Sequence, residues 1–203
     1  MSRIKSALEI ALEKTDNIQG NAERLNQNER RQDGKRLFAR FMSAMQDGQA
    51  PAEITKELKS SLKKFSGKDR PFVQEGYVEV LLSHLGLPHG SDQATQLEPI
   101  KNAAMSISSN GNLPLVFQQL EQFFEQYQQE KTQLLENLQQ QFAARLRQKE
   151  QAYAQQTGQQ VKLDPASDPE FQQYLQKAMA QLNEYYQQAL TDMRDQLQQL
   201  LTA

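Results

Sequence analysis

Cysteine is absent from the 203-residue chain, which excludes a disulfide, a thiolate nucleophile and any zinc site built on sulfur. Histidine is nearly absent as well. His84 and His89 are the only two, separated by Leu87-Pro88 and followed by Asp92, and they match neither one helical face nor a recurring metal-ligand spacing. They read as a helix-end residue and a loop residue. No apolar run approaches the ~20 residues of a membrane span, and Glu9 and Glu13 interrupt the run that a secretory signal needs. The expectation is a cytoplasmic protein without a membrane span. Glycine and proline vanish between Pro114 and Gly158, so nothing in that stretch stops a helix.

Catalytic patterns are missing too. Ser108-Ser109-Asn110-Gly111-Asn112 lacks the lysine and the preceding strand of a phosphate-binding loop, and capping accounts for the helix start that follows. Glu121 and Glu125 stand at i and i+4, but without a pocket or a metal they read as a solvated face. No catalytic residue, cofactor or metal site is expected.

What the chain has is helical periodicity. Ile4, Ala7, Leu8, Ala11 and Leu12 predict a short amphipathic helix over residues 2–15. From Asp16 to Arg36 apolar residues thin out to Ile18 and Leu25, which suits either a solvated helix or a mobile linker, and Leu37, Phe38, Phe41, Met42 and Met45 restore the stripe. Pro51 opens a helix through Ile54, Leu58, Leu62 and Phe65, with Gly67 as its stop. Asp69 offers an N-cap before Pro71, Gly86 offers a C-cap, and the residues between read as helix, a strand over 77–81 being the weaker choice. Leu97, Ile100, Ala103, Ala104 and Ile107 sketch a further short helix.

Beyond Asn110-Gly111-Asn112 the pattern lengthens. Phe124, Tyr127, Leu134, Leu138 and Phe142 form one seam, with Phe117, Leu120, Leu146 and Tyr153 on the same steps. After a turn at about 158–168, Asp168-Pro169-Glu170 opens a second helix with Phe171, Leu175, Met179, Leu182 and Tyr186, continuing to Ala189, Met193 and Leu200. Two narrow seams joined by a short connection bury each other most simply as an antiparallel pair; two chains zipping together, a homodimer, is the alternative. The first helix is the longer, so Phe117, Phe123 and Phe124 are expected on the N-terminal helices. Glutamine, 25 residues of the 92 from Asn112 onward, keeps the exposed faces soluble without charge. The fold class is therefore all-α: a small N-terminal helical bundle over 1–110, with 16–36 as its mobile candidate, then a long coiled-coil-like hairpin over 111–203.

Charge is uneven. Residues 1–70 hold 15 Lys and Arg against 10 Asp and Glu, and the rest hold 8 against 15. Arg24, Arg31 and Lys35 share one helical face, and Lys56, Lys59 and Lys63 another. Each row suits a solvated face, a surface for the acidic half, or a phosphate backbone. Glu29, Asp33 and Glu57 dilute both rows, and no helix-turn-helix or zinc-finger signature accompanies them. The functional class expected first is a non-enzymatic interaction protein (an adaptor, scaffold or chaperone-like stalk) whose hairpin meets a protein partner; the alternative is a nucleic-acid-binding module using the basic N-terminal half.

The segment from Ile4 to Thr15, followed by Asp33-Gly34-Lys35-Arg36-Leu37, resembles the opening of a family of small uncharacterised bacterial proteins. That family has no known activity, so the resemblance implies no residue roles.

Overall fold

A computed structural model describes residues 7–88, 93–159 and 162–202. All regular structure among them is helical: α1 Ala7–Gln46, α2 Pro51–Leu62, α3 Arg70–Ser83, α4 Gln93–Ile107, α5 Leu113–Thr157 and α6 Pro169–Thr202, with one 3-10 turn at Pro165–Ser167. Ile4, His89 and Asp92 lie outside the described residues. The chain divides into two compact units, one of Met1–Leu85, Thr95–Pro114 and Gln196–Ala203, the other of Gly86–Ala94 and Leu115–Asp195.

In the first unit, three expected segments merge. From Ala7 onward, the short helix expected over 2–15, the sparse stretch 16–36 and the stripe beginning at Leu37 are one 40-residue helix, while residues 2–6 lie outside the described residues. No proline interrupts the segment, and its polar face supplies its own links: Arg30 and Arg36 both pair with Asp33, at 2.9 and 3.3 Å, and Arg30 donates to Asn26 at 3.2 Å. Such i,i+3 and i,i+4 pairs support a helix that has little to bury.

α2 starts at Pro51 and buries Ile54, Leu58 and Leu62, as its spacing predicts. α3 starts after Asp69, which holds the expected N-cap position but does not cap with its side chain. Its carboxylate accepts from the Ser66 hydroxyl at 2.8 Å instead of from a helical N–H. Gly86 is not the C-cap, because the helix ends at Ser83 and His84 takes that place. His84 is nonetheless a helix-end residue, with Nδ1 2.8 Å from the Val80 carbonyl and its ring 4.9 Å from that of Phe38.

α3 is buried on more than one side, through Val73, Gly76, Tyr77, Val78, Leu81 and Leu82, and it packs on α1 with unusual closeness. A Cβ at Gly34 would strike the Val73 carbonyl oxygen and stand 2.8 Å from the Tyr77 nitrogen; one at Gly76 would strike the Arg31 carbonyl. Only glycine lets the two backbones approach so far. Arg31 reaches Glu75 at 2.9 Å and Lys35 reaches Glu79 at 2.7 Å, both across 44 positions, so the two helices run in the same direction. Phe38 meets Tyr77 edge-on at 5.3 Å. The Tyr77 hydroxyl, its pKa raised by burial, donates to the Ala103 carbonyl on α4 at 3.3 Å.

In the second unit, α5 and α6 meet side chain to side chain in reverse order. Phe123 faces Tyr186, Tyr127 bonds Asn183, Phe142 packs edge-on against Phe171, and Lys149 pairs with Asp168. The start of α6 is capped as its sequence predicts: Asp168 Oδ1 accepts from the N–H groups of Glu170 and Phe171 at 2.9 and 3.3 Å. Its Oδ2 takes Lys149 Nζ at 2.5 Å. The Leu163 N–H donates to Glu150 at 2.7 Å, which ties the connection back to α5.

Candidate functional site

The seam between α5 and α6 is closed in two places. One is aromatic: Phe124, Tyr127 and Tyr186 are buried, and Phe123 lies 5.6 Å from Phe124 and 5.1 Å from Tyr186. Phe123 therefore packs against Tyr186 of α6, with Phe124 beside it. The other is a cluster of Leu138, Phe142, Leu146 and Phe171, with Leu134, Leu175, Leu163 and Ala178 packed against it. Arg145 lies over the Phe142 ring at 5.2 Å and pairs with Glu170 at 2.9 Å.

Between the two the seam opens. A hollow of about 500 Å³ is lined by Glu130, Gln133, Leu134, Asn137, Ala178, Gln181, Leu182 and Tyr185. Leu134 and Leu182 occupy seam positions yet are only half-buried, as is Met179. Tyr185, on the rim, is 71% exposed, and Tyr174 on the same helix is 50% exposed. The rim is otherwise made of amides, with one carboxylate.

Two tyrosines beside this hollow differ. The Tyr127 hydroxyl donates to Asn183 at 2.7 Å, and burial raises its pKa. The Tyr186 hydroxyl is buried and makes no hydrogen bond of good geometry among the described residues, although the Glu130 carboxylate is near enough to act on it. Burial, and next the Glu130 carboxylate, push it up to about 12.

Toward the end of α6 the buried positions are Leu190, Leu197 and Leu201, whereas Ala189, Met193 and Leu200 are half-buried. The apolar register shifts there by one residue from the stripe that runs through Tyr186. A 3.6-residue helix drifts in this way against a strict 3.5-residue repeat, and the spacing 186, 190, 197, 201 was the signal for it.

The basic residues separate into two groups. Arg31 and Lys35 face Glu75 and Glu79 of α3, which belong to the acidic remainder of the chain after residue 70 and lie in the same unit. Arg31 also lies 5.7 Å from the Phe72 ring. Arg24 is exposed. Lys56, Lys59 and Lys63 are exposed along one face of α2 and have no ion pair among the described residues. No group of three or more metal-ligating side chains, and no helix long and apolar enough to cross a membrane, occurs among the described residues.

Residues 59–199 match the profile of a family of unknown function, DUF6657. The chain belongs to that family. The matched span takes in the end of α2 and nearly all that follows, so it includes both seams and the hollow. It leaves out residues 4–37, on which the likeness to an uncharacterised family rests. No curated protein and no solved structure matches the chain.

Proposed function

We propose that the protein is a non-enzymatic helical interaction protein, an adaptor or scaffold, that acts through an antiparallel hairpin of α5 and α6 closed within one chain. The hollow at Leu134 and Leu182 carries this reading. A helix pair that existed only to stabilise itself would fill its seam along the whole length, since unfilled apolar positions forfeit packing and transfer energy. Here the seam is filled on both sides of an opening and left accessible between them, with a large aromatic standing on the rim.

Tyrosine at such a place supplies contact area at low entropic cost, and a groove between two helices receives the apolar face of a third. The amide-rich rim offers hydrogen bonds without imposing a strong charge requirement on the partner. Site-specific photo-crosslinking from position 185 tests the proposal.

A further inference from the structure

We infer that the solvent face of α2 is a second docking surface, and that its occupant is an acidic amphipathic helix of a partner protein. The inference stands apart from the α5–α6 hollow. Its starting point is the different fate of the two basic rows. Arg31 and Lys35 are neutralised by Glu75 and Glu79, whereas Lys56, Lys59 and Lys63 stand exposed and unpaired among the described residues.

These three lysines wall a shallow depression of about 460 Å³ whose remaining lining is Ala52, Thr55 and Ser60. The Ser60 hydroxyl is already engaged, donating to the Glu57 carbonyl at 2.7 Å. The surface thus combines a low bed of small side chains with ammonium groups at its edges, on the face turned away from the buried Ile54, Leu58 and Leu62. From residue 56 to residue 63 the row is about 10 Å long, two turns of helix. An incoming helix with carboxylates every three or four residues repeats at the same pitch, and its apolar ridge fits the bed between the lysines.

A phosphate backbone fits less well. Exposed Glu53 and Glu57 border the row and oppose a continuous line of phosphates more than a helix whose carboxylates come only every three or four residues. The helix dipole accounts for Lys59 and Lys63 at the C-terminal end of α2, but not for Lys56 in its middle.

Fluorescence anisotropy on the full chain tests this with four probes: a short amphipathic helix of glutamate and leucine, its scrambled isomer of equal charge, a DNA duplex, and phosphatidylserine vesicles. The amphipathic probe should bind, more weakly as salt rises, and at least about tenfold more tightly than the scrambled isomer. Lys56→Glu combined with Lys59→Glu and Lys63→Glu should weaken it at least about tenfold with the circular dichroism unchanged, while the three Lys→Arg changes retain it. Equal binding of the scrambled isomer, tighter binding of duplex or vesicles, no response to the triple change, or a salt-sensitive self-association that occupies the lysines would each overturn the inference. Because Leu182 is remote from the lysine row in sequence and lies in the other unit, Leu182→Asp should leave this binding intact.

Discussion

Gly34 of α1 and Gly76 of α3 stand where each helix presses its backbone against the other, so that a side chain at either position would meet a carbonyl oxygen. A glycine in mid-helix costs about 1 kcal/mol relative to alanine, and the packing it allows offsets that cost. Gly34→Ala and Gly76→Ala should each destabilise by about 3 kcal/mol or more, because backbone cannot move aside as a side-chain tip can. Gly67→Ala, with open space around it, should stay within about 0.5 kcal/mol of the parent. Urea unfolding followed by circular dichroism checks all three.

Much of this first unit was legible in the sequence, and the reasons differ by element. Pro51 and the spacing of Ile54, Leu58 and Leu62 marked α2, because a proline start and a buried stripe are local signals. The continuity of α1 was not legible, since a polar segment between two apolar stripes reads equally as solvated helix or linker until its i,i+3 pairs are seen. Neither Gly34 nor Gly76 announced a helix crossing, although a glycine inside a helical pattern is itself a hint of close approach. The partners of Arg31 and Lys35, 44 residues away, are a tertiary fact. In the second unit, periodicity marked Leu134 and Leu182 as seam positions, but it cannot say which seam positions stay uncovered.

The two tyrosines of the aromatic cluster should respond oppositely to loss of the hydroxyl. Tyr127→Phe breaks the bond to Asn183 and should cost about 0.5–1.5 kcal/mol. Tyr186→Phe removes a buried hydroxyl that makes no hydrogen bond of good geometry among the described residues, so stability should hold or rise by about 1 kcal/mol. Chemical denaturation of the two variants beside the parent decides it.

Two leucines of the seam should separate folding from binding. Leu138 is buried inside the cluster with Phe142 and Phe171, and Leu138→Asp should cost at least about 3 kcal/mol by leaving a carboxylate without water. Leu182 borders the hollow, where a carboxylate can stay hydrated, so Leu182→Asp should cost about 1–2 kcal/mol. Thermal melts give the ranking, and an equal loss at the two sites would mean that the hollow is closed.

Asp168 links the cap of α6 to Lys149. The hydrogen bond from Lys149, followed by those from the Phe171 and Glu170 N–H groups, holds its carboxyl below the ordinary 3.8. A depressed folded pKa contributes stability that is present above the unfolded value and is lost as pH falls through the folded one. Asp168→Asn keeps a capping oxygen but not the charge. The variant should therefore be less stable than the parent at neutral pH, and the gap should close as acid protonates Asp168, at a pH below the usual carboxylate range. Paired denaturation curves from about pH 7 to about pH 2 follow this.

The most direct test of the proposed function places a photo-reactive benzoylphenylalanine at Tyr185, on the rim of the hollow, and separately at Gln140, an exposed position of α5 outside its lining. After irradiation in the native host, position 185 should yield a discrete adduct with a partner protein or a second copy, and position 140 should not. Leu182→Asp in the same chain should abolish the adduct while the protein remains folded. No adduct from position 185, or the same adducts from both positions, would contradict the assignment of the hollow as a docking site.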